Sequence, residues 1–385
     1  MIITMGGQDF SVTMLEEPTP EFWSRAEEAA PDFVAYDTES DGLHVKKARA
    51  FVLAVGWHRE VYVFPATPDN FRLLYPLSRL TKRLYAHNTT YDMHMAANGT
   101  GDDEFPMTIE NWGDTMGLLR LVFESISARD GGDKLALKWV AKKYVDPEAD
   151  RYEHAVKAWL EAKVKADRQV LIALLKGRHK WGIKRFEDAM NKGSEEIPFE
   201  VMNTFYGWRS THPEPTYKDV PDDLMLPYLA SDIALTLLII EMALPVVKHK
   251  KQVGIMRQEF ELLPYVYEME RQGIEVDREY LLNCEQKVTA YIDKLSAELW
   301  VLAGEIITAD QHAAIKRILR DRFKRDLPSV DKPVMNKLIA EKNGDVSRFA
   351  RLIKKLRTLG KWKSTYIDRI LEVSEYDGRF YTNMN

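Results

Sequence analysis

The sequence contains a single cysteine, Cys284, in 385 residues. One thiol cannot close an internal disulfide and cannot build a Cys-rich zinc site. The nine histidines show no H-E-x-x-H or paired zinc spacing. No G-x-G-x-x-G or Walker A segment is present, so neither dinucleotide nor P-loop nucleotide binding is indicated. The start, MIITMGGQDF, lacks the basic and apolar regions of a signal peptide. The most apolar stretch, residues 235–247, is interrupted by Thr236, Glu241 and Pro245. It is shorter than the roughly 20 residues of a membrane span. Internal repeats and low-complexity tracts are also missing. A reducing, cytoplasmic setting without a membrane is the expectation.

What is present is a divided charge. The formal net charge is −5, but residues 1–247 carry 28 basic and 38 acidic side chains, and residues 248–385 carry 26 and 21. Within 310–369, 17 basic residues face 7 acidic ones. This asymmetry suggests two functional parts. An acidic part can concentrate cations and a basic part can meet phosphates, although a Lys/Arg-rich helix is equally a solvated face. The junction is expected near residues 248–257, giving domains 1–247 and 248–385.

The first hundred residues read as α/β. Strands are expected at 33–36, 50–57, 61–64 and 84–86, the middle two forming a hairpin across His58-Arg59-Glu60. Helical spacing is expected over 71–80, after Asp114, over 135–140 and over 222–244. Residues 145–220 hold a charged helical stretch and the breaker Ser210-Thr211-His212-Pro213-Glu214-Pro215. Beyond 248 nearly all is helix, with breaks at Gln272-Gly273, Leu327-Pro328 and Asn343-Gly344. Asp377-Gly378 reads as a hairpin turn before a short strand. Asp114 reads as an N-cap, His87 as a packing or capping residue, and Cys284 as a small buried one.

Three short motifs carry chemistry. Asp37-Thr38-Glu39 ends the first expected strand, and residues i and i+2 of a strand share a face. Both carboxylates can therefore reach one metal cluster. The same spacing at Asp102/Glu104, Asp146/Glu148 and Asp277/Glu279 has no preceding apolar strand and reads as surface charge. Asn88-Thr89-Thr90-Tyr91-Asp92 puts Asn88 and Asp92 four apart, on one face if helical. Its ordinary reading is an N-cap followed by a first-turn acid. Tyr228-Leu229-Ala230-Ser231-Asp232 places an acid among Leu229, Ile233, Leu235 and Leu237. Such an acid is rarely buried without a partner or a metal. Four acids and a phenol in this order suit a site for two oxygen-loving divalent ions, Mg²⁺ or Mn²⁺.

In that order the motifs resemble the three exonuclease motifs of the DEDD superfamily. The tyrosine four positions before Asp232 resembles the DEDDy branch, since Pro227 stands where the DEDDh branch has histidine. The resemblance implies an RNase H-like α/β domain and 3′→5′ hydrolysis of the terminal phosphodiester, releasing nucleoside monophosphates. It implies that Asp37, Glu39 and Asp232 hold the tighter metal, that Asp92 serves the second, and that Tyr228 orients the attacking water. Asn88 would position the motif beside the DNA.

Residues 261–277, with Met269-Glu270-Arg271-Gln272-Gly273-Ile274-Glu275-Val276-Asp277, resemble the segment after the exonuclease domain of phage-type family A DNA polymerases. Leu359-Gly360-Lys361-Trp362-Lys363-Ser364-Thr365-Tyr366 resembles the end of their thumb, and Asp377-Gly378-Arg379-Phe380-Tyr381-Thr382-Asn383 the strand leading into their palm. The resemblance implies a mostly helical thumb-like region that grips primer–template duplex, with Lys354, Lys355, Arg357, Lys361 and Lys363 as candidate DNA contacts. A single-stranded 3′ end would enter the nuclease. Residues 145–220 read as a helical insertion. Palm and fingers motifs are absent, which suggests a proofreading part of a split or truncated polymerase, with a separately encoded palm-and-fingers subunit as partner. The alternatives are a DNA-binding assembly subunit and an RNase D-like RNA exonuclease.

Overall fold

The computed structural model describes residues 1–123, 135–192, 196–341 and 344–382. Asn343 and Asn383, named above, lie outside them. The chain forms two compact units, Met1–Arg271 and Gln272–Asn385.

The first unit is built on a seven-stranded mixed sheet in the order β1-β2-β5-β4-β3-β6-β7. The strands are β1 Ile2–Met5, β2 Gln8–Met14, β3 Val34–Ser40, β4 Ala50–Trp57, β5 Glu60–Pro65, β6 Leu84–Ala86 and β7 Trp112–Asp114. The expected β4–β5 hairpin is present and antiparallel. An N-terminal hairpin was not foreseen. It turns on Gly6 and Gly7, with φ of 56° and 71°, as a two-residue turn with both φ positive requires. β3 runs antiparallel to β4 and parallel to β6. Its register with β4 shifts between Glu39 and Ser40, at the end of the strand.

Alternation along β3 sends its side chains into two cores. Ala35 joins Val52, Ala54, Val61 and Val63 beneath Leu229, Ile233 and Leu237. Val34 and Tyr36 join Leu53, Val55 and Phe64 against Phe22, Met93 and Ala97 on the other face. The covering helix of the first core, Asp222–His249, is apolar nearly all round because it is buried. By length and composition it could cross a membrane, yet 72% of its most apolar window is buried in the fold, as for a core helix.

Several expectations needed correction. The 71–80 pattern is two helices, Pro68–Arg72 and Leu74–Leu80, broken at Leu73. The stretch 145–220 needs no such revision: read as a helical insertion, it holds the helices Arg151–His179, Ile183–Lys192 and Phe199–Thr211 with a small core around Leu175, Phe186 and Trp208. The compact units divide 24 residues after the charge boundary at 247, because 248–271 belongs to the first unit. Tyr267 donates to the Asp103 carbonyl at 2.7 Å, and Arg271 binds the Val45 carbonyl at 2.5 Å and Asn98 Oδ1 at 2.7 Å.

The second unit is mostly helical, with Arg278–Ala303, His312–Asp321, Lys332–Ala340 and Gly344–Trp362 around Leu299, Leu319, Phe349 and Ile353. Asp377-Gly378 is a turn, but not of a hairpin. The strand after it, β9 Arg379–Phe380, pairs with β8 Ile274–Glu275, about a hundred positions earlier in the chain. Cys284 is half-buried rather than buried.

Candidate active site

Period-2 geometry carries the first motif. Asp37 and Glu39 share the face of Ala35, toward the Asp222–His249 helix, while Thr38 faces the opposite core. That helix supplies Tyr228 and Asp232 one turn apart, and Asp232 is only 7% exposed. Carboxylate oxygens of Asp37, Glu39 and Asp232 all lie within 4.8 Å of one another. The Tyr228 hydroxyl donates to Glu39. Tyr228 is itself buried, and its ring lies 5.8 Å from that of Tyr217.

Asp92 stands outside this close triad. It is 2% exposed and accepts a hydrogen bond from Thr38 Oγ1 at 2.9 Å. The middle residue of the first motif thus anchors the acid of the second. Asn88 does not share a helical face with Asp92, because it precedes the Thr89–Thr100 helix with φ of 69°. Asparagine tolerates this left-handed conformation. Its side chain makes no cap bond, and its backbone N–H donates to Asp114 Oδ1 at 3.0 Å. Asp114 is the expected N-cap, also accepting from the N–H groups of Met116 and Gly117. His87 packs with Nδ1 2.8 Å from Thr115 Oγ1, and its ring is buried beside the Leu135 backbone.

Crowded carboxylates resist ionisation. Burial lifts Asp37 to about 7. Burial, then repulsion from Asp37, lifts Glu39 to about 8. Asp92 is pushed well above its ordinary value by burial and next by Asp37. Burial and then Glu39 also raise Tyr228, which stays a neutral phenol. A desolvation penalty on several acids at one point is what a bound cation relieves.

One residue escaped sequence reasoning. Lys138, on the Leu137–Tyr144 helix, forms an ion pair with Asp232. Burial lowers its ammonium to about 8 against the pull of Asp37. No local pattern links positions 138 and 232. Beside the triad lies an open cavity of about 490 Å³, lined by Glu39, Leu43, Tyr91, Tyr217 and Tyr228. Leu43 is 84% exposed there.

In the second unit the candidate basic contacts separate. Arg357 is engaged internally, donating to the carbonyls of Ala309 at 2.8 Å and Val330 at 2.6 Å. Lys363 pairs with both Glu285 and Asp368 at 2.8 Å. Lys354 is exposed and donates to Asn336 Oδ1 at 2.9 Å. Lys355 is exposed over the Tyr291 ring, 4.7 Å from its centroid. Lys361 is exposed.

No protein-family profile matches the chain. Over 126 residues, 31% of its length, it is 28% identical to a DNA polymerase I of Caldicellulosiruptor bescii, a match spanning 15% of that protein. The solved POL domain of Pol1 from M. smegmatis, in complex with DNA primer–template and dNTP, superposes with a TM-score of 0.54 at 14% identity. That superposition takes in 97% of this chain and 52% of the solved one, so the chain spans about half the length of that structural relative. In sequence over one segment, and in fold over nearly its whole length, the protein is similar to DNA polymerase I.

Proposed function

We propose that the first unit is a metal-dependent 3′→5′ exonuclease of the DEDDy type, acting on DNA 3′ ends as a proofreading nuclease does. The observation that carries this reading is the convergence of Asp37, Glu39 and Asp232, with the Tyr228 hydroxyl bound to Glu39. Hard divalent cations take oxygen ligands at roughly 2.0–2.6 Å, and three carboxylate oxygens within 4.8 Å of one another fit such an ion. Asp37, Glu39 and Asp232 would hold it, and Asp92, which accepts a hydrogen bond from Thr38, would serve a second. Bound there, divalent ions supply an ionised water and polarise the phosphoryl oxygen.

The chain's own groups do the rest. Tyr228 remains a hydrogen-bond donor and orients the water through its tie to Glu39. Leu43, Tyr91 and Tyr217 line the cleft where unstacked bases of a single strand would lie, since aromatic faces bind bases with little sequence preference. The exposed Lys354, Lys355 and Lys361 of the helical unit suit contacts to duplex phosphates. DNA as ligand is supported by the primer–template bound in the solved relative.

Digestion of 5′-labelled single-stranded DNA with Mg²⁺ or Mn²⁺ tests this reading, with matched RNA run alongside. Stepwise shortening of the DNA is expected, and Asp37→Ala should reduce it to background. Undiminished cleavage by the variant would refute the assignment, and preferential RNA cleavage would replace DNA as substrate.

A further inference from the structure

The first turn of the Leu137–Tyr144 helix brings one cation into the carboxylate cluster. Lys138 Nζ pairs with Asp232 Oδ1, donates to Ser231 Oγ at 3.3 Å and lies 5.2 Å from the centre of the Tyr228 ring. The Lys138 and Asp232 side chains are only 17% and 10% exposed, so solvent screens this pair weakly. Asp232 Oδ1 therefore already carries an ammonium. A divalent ion on the same oxygen would stand against a like charge at contact distance, which a partly desolvated site does not tolerate.

Three triad acids against one lysine leave the cluster short of positive charge. Lys138 is thus held where a metal is needed. Removing it from the metal-free protein would expose Asp37, Glu39 and Asp232 to one another with no cation among them. Glu153 and Asp150 also act on the Lys138 charge, but they are paired with Lys157 and Lys142, so the triad is the partner Lys138 contacts directly.

We propose that Lys138 is the internal counter-ion of the metal-free cluster, and that a divalent cation must displace its ammonium from Asp232 in order to bind. The inference rests on reading the triad as a metal site. It makes Lys138 a positioning residue that keeps the acids gathered, at the expense of metal affinity.

Calorimetric titration of Mn²⁺ into the chelator-treated full chain tests it, using wild type, Lys138→Met, Lys138→Arg and Asp37→Asn. Lys138→Met should bind Mn²⁺ about tenfold more tightly, the scale of one charged hydrogen bond, and should melt at a lower temperature without metal. Lys138→Arg keeps a cation and should stay within about threefold of wild type. A Met variant binding no more tightly than wild type would overturn the proposal. If the Met variant does not fold, reductive methylation of the wild-type protein decides. Lys138 should react faster in saturating Mn²⁺ than in chelator, and an unchanged rate overturns the proposal. Mn²⁺ binding that Asp37→Asn leaves intact would instead sink the triad as the metal site.

Discussion

Without metal, the protein should lose stability as pH rises through neutrality, and part of the loss should trace to Asp37 and Glu39, beside the raised Asp92. Asp37 and Glu39 are held at about 7 and about 8 in the folded state, chiefly by burial. In the unfolded chain both titrate near 4. Between these limits the folded protein keeps protons that the unfolded chain has released. Stability contributed by these groups is therefore greatest at low pH and falls as pH rises from about 4 to about 8. Carrying one isolated carboxyl from near 4 to about 7 would be worth about 4 kcal/mol. Both groups are partly open to solvent and titrate as a pair, so about 2–4 kcal/mol for the two together is expected. The perturbation is the double variant Asp37→Asn/Glu39→Gln, which removes this titration and leaves every other group in place. Urea unfolding in EDTA at pH 5 and pH 8 supplies the measurement for both proteins. The variant should gain about 2–4 kcal/mol over wild type between the two pH values. Mn²⁺ at pH 8 should stabilise wild type and leave the variant unmoved. Parallel pH profiles in EDTA would refute the electrostatic picture of the cluster.

Two further outcomes test the packing and the second unit. Gly99→Ala should lower stability by about 1–3 kcal/mol, because a Cβ at Gly99 would meet the Phe71 ring at 2.0 Å; an unchanged melting temperature would contradict that packing. Replacing Lys354, Lys355 and Lys361 together by alanine should weaken duplex DNA binding and reduce the slope of log affinity against log salt by about 2–3. An unaltered slope in fluorescence anisotropy would remove these residues from the interface.

The parts of the site that share a local period were legible. Asp37 and Glu39 announce a common face by alternation, and Tyr228 and Asp232 by helical spacing. Strands β3 to β6 stood out as short apolar runs bounded by polar residues. What escaped was set by distance in the chain or by a competing local rule. Lys138 meets Asp232 only through tertiary packing, 94 positions away. Asn88 left the helical face because a left-handed residue opens that helix. The hairpin at Gly6-Gly7 was overlooked although its turn chemistry was in plain view. Arg357 counted as a basic residue in a basic segment, yet its guanidinium closes two loops of its own unit. Charge totals record sign, and they are blind to whether a cation is already engaged. The same blindness put the charge boundary at 247, while Tyr267 and Arg271 tie into the first unit through the Asp103 and Val45 carbonyls and an ion pair with Asp103, contacts that a running charge total does not locate.

The register shift between Glu39 and Ser40 has a bearing on which chain-length changes this protein can survive. Upstream of it, from Val34 to Glu39, each position is tied to one face of the sheet. Deleting or inserting one residue there would turn Asp37 and Glu39 toward the opposite core and deliver Thr38 to the cluster. Downstream, the pairing has already skipped, and the chain runs into the loop of Asp41, Gly42 and Leu43 at the mouth of the cleft. A length change there moves the rim without rotating the acids. The irregularity therefore works as a buffer between a segment that tolerates no frame change and one whose length can change without moving the acids.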